Sequence, residues 1–430
     1  MSSSDETRGL YATARAFGSL GRTFWVCNTV YFLDGAAYFG ILNILTLFLG
    51  HSIGLSDRWT GYTVSYFTAA VTIGSAILGG VVDRLGVRRT MTLSIVAALL
   101  GRGLLAVAPD LPESALVSWA ALTLMAVSAG TLTTAVYAGV KQVTTPATSA
   151  VGFSLLYAFM NGGSLVEAFA SSFVRARYDV GGVFWMCAGI TVTYALVHVV
   201  GFPRREGGPV PREGGALAMA RAANRSWRDH ALTRPRFLFF IFILLGVRTL
   251  FAHQWLTMPD YVTRAFPPEV GARFEWINGL NPLIIVFATP LAAALTRRVH
   301  VVTMMIIGTF VSASASFLLV LGPSLALLVA YEIIFALGES LWSSRFYEWV
   351  ADAAPPDKVG VYMGVAQVPW FVAKFTTGLY SGAMLARFCP ASGPQHTGTM
   401  WLVYGVIGLT SPLGLILARR WLAAGKLTDA

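Results

Sequence analysis

Long apolar runs alternate with short polar turns along the 430 residues, and each run has the length of a bilayer crossing. Roughly 20 residues of helix cross a hydrocarbon core. Twelve such runs lie at 24–50, 59–82, 90–108, 114–140, 150–173, 181–202, 236–263, 276–296, 301–321, 323–352, 360–386 and 398–418. The period-two pattern of an outer-membrane barrel is absent. The pattern predicts an all-α polytopic membrane protein. Met1–Arg22 is polar and leads straight into the first run, so no cleaved signal peptide is expected.

Composition agrees. The chain is 55% hydrophobic and 12% charged, with mean hydropathy +0.64, whereas soluble domains are about 25% charged. Cys27, Cys187 and Cys389 have neither the number nor the spacing of a disulfide framework or metal site. The net charge of +10 is not spread as a nucleic-acid surface requires. If the N-terminus is cytoplasmic, 21 of the 31 Lys and Arg fall in inner segments, 6 in outer loops and 4 in spans. That bias places both termini inside, in an inner or plasma membrane. The Gly-, Pro- and Arg-rich stretch after the sixth run divides the chain. The expected organisation is a cytoplasmic segment 1–23, a six-helix bundle 24–202, a linker 203–235, a second bundle 236–420 and a tail 421–430. Val151-Gly152-Phe153 and Val359-Gly360-Val361 open spans five and eleven as a weak internal echo.

Ionisable residues inside the runs carry the functional signal, because a charge in hydrocarbon costs several kcal/mol unless it faces a cavity or a partner. Glu332 and Glu339 lie seven residues apart in span ten and so share one helix face. Glu339 sits near mid-depth and is the expected centre of a transport site. The competing explanation is a helix–helix salt bridge to Lys374 or Arg248. Arg248 needs an anion, either Asp34, Glu339 or a substrate carboxylate. His253 is expected to be a hydrogen-bonded packing residue. Arg102, Glu167 and Lys374 have no evident partner in the sequence. Trp342 and Trp370 are the aromatic candidates for a substrate wall. No nucleotide loop, metal cluster or nucleophile triad is present, so neither an enzyme nor a cofactor is expected.

The loop after span two reads Gly79-Gly80-Val81-Val82-Asp83-Arg84-Leu85-Gly86-Val87-Arg88-Arg89. Gly79, Asp83, Arg84, Gly86 and Arg88 match the G-x-L-a-D-r-x-G-r-k signature of the major facilitator superfamily, which this chain resembles. The resemblance implies two six-helix bundles and an inner latch in which Asp83 faces the start of span eleven near Gly360. Arg84 or Arg88 is then expected near Asp352 or Asp357. The loop Leu295-Thr296-Arg297-Arg298-Val299 of the second half lacks the acid.

Further stretches are similar to the proton-dependent oligopeptide transporter family. They are Asp34-Gly35-Ala36-Ala37-Tyr38-Phe39-Gly40, Phe153-Ser154-Leu155-Leu156-Tyr157 with Asn161-Gly162-Gly163-Ser164, Leu280-Asn281-Pro282, Gly338-Glu339, Ala354-Pro355 and Gly360-Val361-Tyr362-Met363-Gly364. The family's span-one motif, E-x-x-E-R-F-x-Y-Y-G, departs here. Tyr31 and Asp34 stand at its acids and Gly35 at its arginine. The resemblance implies a proton-coupled transporter with Asp34 and Glu339 as proton carriers. Tyr31, Tyr38, Asn161, Arg248, Gln254, Asn281, Glu339, Trp342 and Trp370 are the expected substrate contacts. Asn161, Asn281 and Glu339 suit an amine. The missing arginine, and the small Gly35, Ala36 and Ala37, predict room and a less acidic substrate group beside span one. Expected partners are a small-molecule substrate, protons and lipid, not nucleic acid, with the monomer functional. A drug or metabolite/proton antiporter of the same fold is the alternative. A non-transporting receptor or scaffold is the second, disfavoured by acids at mid-depth.

Overall fold

A computed structural model describes residues 21–78, 81–144, 146–203, 233–296, 299–353, 362, 365–366 and 368–423. Helix is the regular structure throughout these residues. The elements are α1 (Arg22–Leu47), α2 (Asp57–Leu78), α3 (Val81–Leu85), α4 (Val87–Val107), α5 (Ser114–Val143) and α6 (Pro146–Gly201). They continue with α7 (Pro235–Ile243), α8 (Leu245–Leu256), α9 (Met258–Ala265), α10 (Pro268–Gly271), α11 (Phe274–Asn278) and α12 (Leu280–Leu295). The last are α13 (Val301–Ala315), α14 (Leu325–Ala353), α15 (Val368–Phe388), α16 (Thr397–Leu417) and α17 (Arg419–Ala423). Among the described residues, eight helical stretches are long and apolar enough to cross a membrane.

Local chemistry explains the breaks. The sequence separates runs five and six near residues 174–180, and α6 is interrupted at Asp179, whose φ is 58°. Gly86 at the start of α4 has φ 80° and ψ 165°, a conformation an L side chain resists, and it makes the tight turn between α3 and α4. Pro235 and Pro259 stand in the first turns of α7 and α9, where the missing N–H costs nothing.

The chain forms two compact units. The first comprises Met1–Phe39, Ala70–Glu167 and Phe184–Glu213; the second comprises Gly40–Ala69, Ala168–Val183 and Gly214–Ala430. Phe24 and Val30 of α1, Met91 and Ile95 of α4, Val136 of α5 and Tyr194 of α6 make the core of the first unit. The second unit has an aromatic core, in which Phe240 stacks on Trp349 at 3.7 Å between centroids. Its α13 and α14 cross where Gly308 faces Gly338, and a Cβ on either would meet the opposing backbone at 2.9 Å. Small residues let helix backbones approach in this way. That crossing fixes the depth of Glu339, the next residue. Gly338→Val overpacks it and is expected to cost about 1–3 kcal/mol. A lowered unfolding midpoint in detergent checks this, and an unchanged midpoint contradicts the tight crossing.

Candidate transport site

In the first unit, the ionisable residues of α1 and α4 meet. Asp34 is 8% exposed and Arg102 4% exposed. Arg102 Nη2 donates to Asp34 Oδ1 at 2.7 Å. Arg102 Nη1 donates to Thr191 Oγ1 at 2.9 Å and Tyr194 Oη at 2.8 Å, and the Tyr194 hydroxyl donates to Asp34 Oδ1 at 3.1 Å. Arg102, not Arg248, is therefore the cation of Asp34. Tyr31 is buried, edge-on to Tyr137 at 6.0 Å. Tyr38 and Asn161 are half-buried on α1 and α6. The room expected beside Gly35 is occupied. A Cβ at Gly35 would lie 2.8 Å from the Met160 carbonyl, and Ala36 and Ala37 are buried. The small residues serve a close α1–α6 crossing instead.

In the second unit, Glu339 is half-buried on α14, and Asn281 Nδ2 donates to its Oε2 at 3.3 Å. Asn281 lies in the first turn of α12. Among the described residues Glu339 forms no salt bridge, so the pairing with Lys374 or Arg248 does not occur. Glu332 is fully buried on the same helix, and among the described residues neither of its carboxylate oxygens has a hydrogen-bond partner. Gln254 Nε2 donates to Tyr331 Oη at 3.3 Å. His253 is the packing residue expected. Its ring nitrogens bond to Thr257 at 2.7 Å and Tyr380 at 3.1 Å, and its ring stacks on Tyr404.

Arg248 is fully buried, and its partners are aromatic faces. Its Cζ lies 4.4 Å from the Phe346 centroid and 5.1 Å from that of Trp370. Lys374 Nζ lies 5.8 Å from the same Trp370 ring and 5.4 Å from Trp255. Phe251 joins the wall, 5.8 Å from Trp342 and 5.5 Å from Trp370.

The second unit also contains a charged tie that sequence reasoning did not find. Arg264 grips Asp57 bidentately, at 2.7 and 2.8 Å, and reaches Asp260 at 2.7 Å and the Cys389 carbonyl at 3.1 Å. Arg175 Nη2 donates to Glu275 Oε2 at 2.7 Å. The Asp260–Arg264 spacing, i to i+4, was the available signal. One guanidinium thus joins the start of α2, the end of α9 and the segment after α15. Cys389 is fully buried and reports on this tie. Arg264→Gln is expected to raise its labelling rate by a maleimide about tenfold, the factor set by about 1.4 kcal/mol. An unchanged rate means that the tie does not guard this region.

The family model of the Major Facilitator Superfamily matches residues 27–375. The chain belongs to the Major Facilitator Superfamily. As a major facilitator it is a multi-pass membrane transporter and not an enzyme. Solved structures share its fold. An auto-inhibited POT family peptide transporter aligns with TM-score 0.77 at 17% identity, over 93% of this chain and 97% of that one. A peptide transporter POT in complex with sulfate gives 0.76 at 16%, over 95% and 98%. A POT family transporter in complex with 5-aminolevulinic acid gives 0.75 at 14%, over 94% and 97%. No curated protein sequence matches the chain.

The signature loop of this major facilitator is described in part. Gly79, Gly360 and Asp357 and the side chains of Asp83 and Asp352 lie outside the described residues, as do those of Phe153, Ser154 and Tyr157. Arg84 is exposed and Arg88 half-buried on either side of Gly86.

Proposed function

We propose that this major facilitator is a proton-coupled secondary active transporter of a small amine-bearing or peptide-like solute. Twelve helices in two six-helix bundles, 24–202 and 236–420, work by alternating access, with both termini cytoplasmic. Glu339 and Asn281 receive the amine, and Asn161, Tyr31, Tyr38, Gln254, Arg248, Trp342 and Trp370 complete the binding surface. Asp34 and Glu339 carry the protons, and Gly79, Asp83, Arg84, Gly86 and Arg88 form the inner latch.

The observation that carries the reading is the state of Glu339. It is a half-buried carboxylate in an apolar helix, oriented by Asn281 and, among the described residues, without a cation. A carboxylate in that setting needs a proton or a cationic ligand. The fold neighbours, solved with a thioalcohol-conjugated peptide and with 5-aminolevulinic acid, agree with a small amine-bearing solute.

Proteoliposomes provide the test. Uptake of radiolabelled dipeptides and 5-aminolevulinic acid is measured under an imposed inward proton gradient. The reading requires accumulation that collapses with a protonophore. Accumulation driven by an outward gradient identifies an antiporter instead.

A further inference from the structure

Among the described residues, Arg248 and Lys374 of the second unit have no acid partner. Arg248 is fully buried and Lys374 half-buried, and among the described residues neither forms a salt bridge. They come from different helices, α8 and α15, and both touch the Trp370 ring. Two cations on one indole repel each other and persist only if the rings, or an anion, compensate.

The disposition of Arg248 identifies what is missing. Phe346 and Trp370 lie against its guanidinium, and Nη1 makes one long bond of 3.4 Å to the Ala366 carbonyl. Nε and Nη2 are buried and, among the described residues, have no hydrogen-bond partner. These two nitrogens form the edge of the guanidinium that takes a carboxylate in parallel, two-bonded geometry. An unpaired buried donor carries its full desolvation cost, so this edge is poised for an oxyanion.

We propose that Lys374, Arg248 and Trp370 form an oxyanion subsite in the second unit, and that the solute carries a carboxylate as well as an amine. This rests on the transport reading above and specifies its substrate. Lys374, the more exposed cation, meets the carboxylate first. Trp370, half-buried and beside both cations, turns to admit it to the Nε–Nη2 edge of Arg248. Asp34 already occupies Arg102, so the first unit has no equivalent cation free in that cluster. Both charged ends of the solute are held by the second unit.

The test uses the purified full chain and ligand-induced thermal stabilisation, because a ligand of the native state raises stability by mass action. The probes are matched pairs: Ala-Ala and its C-terminal amide, and 5-aminolevulinic acid and its methyl ester. Each free acid is expected to bind about tenfold more tightly than its neutral partner. Lys374→Gln, which removes one of the two charges without leaving a buried anion unpaired, should shrink that difference by at least half. Lys374→Arg should retain it, and ligand-dependent Trp fluorescence should be lost in Trp370→Phe. Equal or tighter binding of the neutral members overturns the subsite and leaves amine recognition standing. An acid preference undiminished by Lys374→Gln overturns the assignment to these residues. If no member of either pair stabilises the protein, both the subsite and the transport reading fail.

Discussion

Glu339→Gln is expected to weaken amine ligands about 10- to 100-fold and to abolish accumulation driven by an inward proton gradient. Gln has the same shape, so packing at the Gly308–Gly338 crossing is preserved and the change is one of charge. Among the described residues, the native carboxylate has one side-chain donor, Asn281, and no cation. A ligand ammonium therefore adds a charge-assisted hydrogen bond, worth about 1.5–3 kcal/mol, and each 1.4 kcal/mol is about tenfold in affinity. The same carboxylate is the proposed proton carrier. Apolar burial favours the neutral form of any carboxyl, whereas a nearby cation favours the ionised form, and a carrier alternates between the two. An amide does neither. Thermal shift reads the binding loss, and proteoliposome uptake reads the coupling loss. Accumulation that persists in both Asp34→Asn and Glu339→Gln excludes these residues as carriers.

The second large effect is on stability. Arg102→Gln leaves the Asp34 carboxylate buried with only the Tyr194 hydroxyl among its named donors. Removing one member of a buried ion pair costs about 3–5 kcal/mol. Asp34→Asn leaves the guanidinium with Thr191 and Tyr194 but no anion, and is expected to cost less, since two of its donors stay satisfied. The double variant Asp34→Asn/Arg102→Gln replaces both charges by amides and should recover more than half of the Arg102→Gln loss. Residues in one network couple by about 0.5–3 kcal/mol. Unfolding midpoints of the four proteins measure this. Strict additivity would show that the pair does not act as a unit.

The sequence made the helices legible because hydrocarbon thickness sets their length. The first run, 24–50, corresponds to α1 and the π turn Phe48–Ser52 that extends it, and the last, 398–418, to Thr397–Leu417. Gly86 was legible too, since a turn between two helices leaves few alternatives. The partners were not. Asp34 and Arg102 are 68 residues apart, and Arg175 and Glu275 are 100 apart. A charge at mid-span states that it requires compensation, but hydropathy does not say from which helix. The same limit left the surroundings of Arg248 open: its guanidinium lies against the faces of Phe346 and Trp370, not beside Asp34 or Glu339. Gly35 was read as a vacancy because residue size alone does not reveal whether a neighbouring backbone fills the space.

The start of α2 lies against α15 with almost no side chain between them. Gly61 faces Gly378, Gly382 faces the Asp57 backbone, and the Ser65 hydroxyl donates to the Phe375 carbonyl at 3.0 Å. Such a seam closes like a ground-glass joint, by fit alone. Alanine scanning ordinarily subtracts, and its losses are read as contacts removed. Along this joint it inserts. A methyl at Gly378 or Gly382 acts as a wedge, so the mildest substitution is the one that holds the seam apart, and a scan that treats alanine as silent will misread its most informative positions.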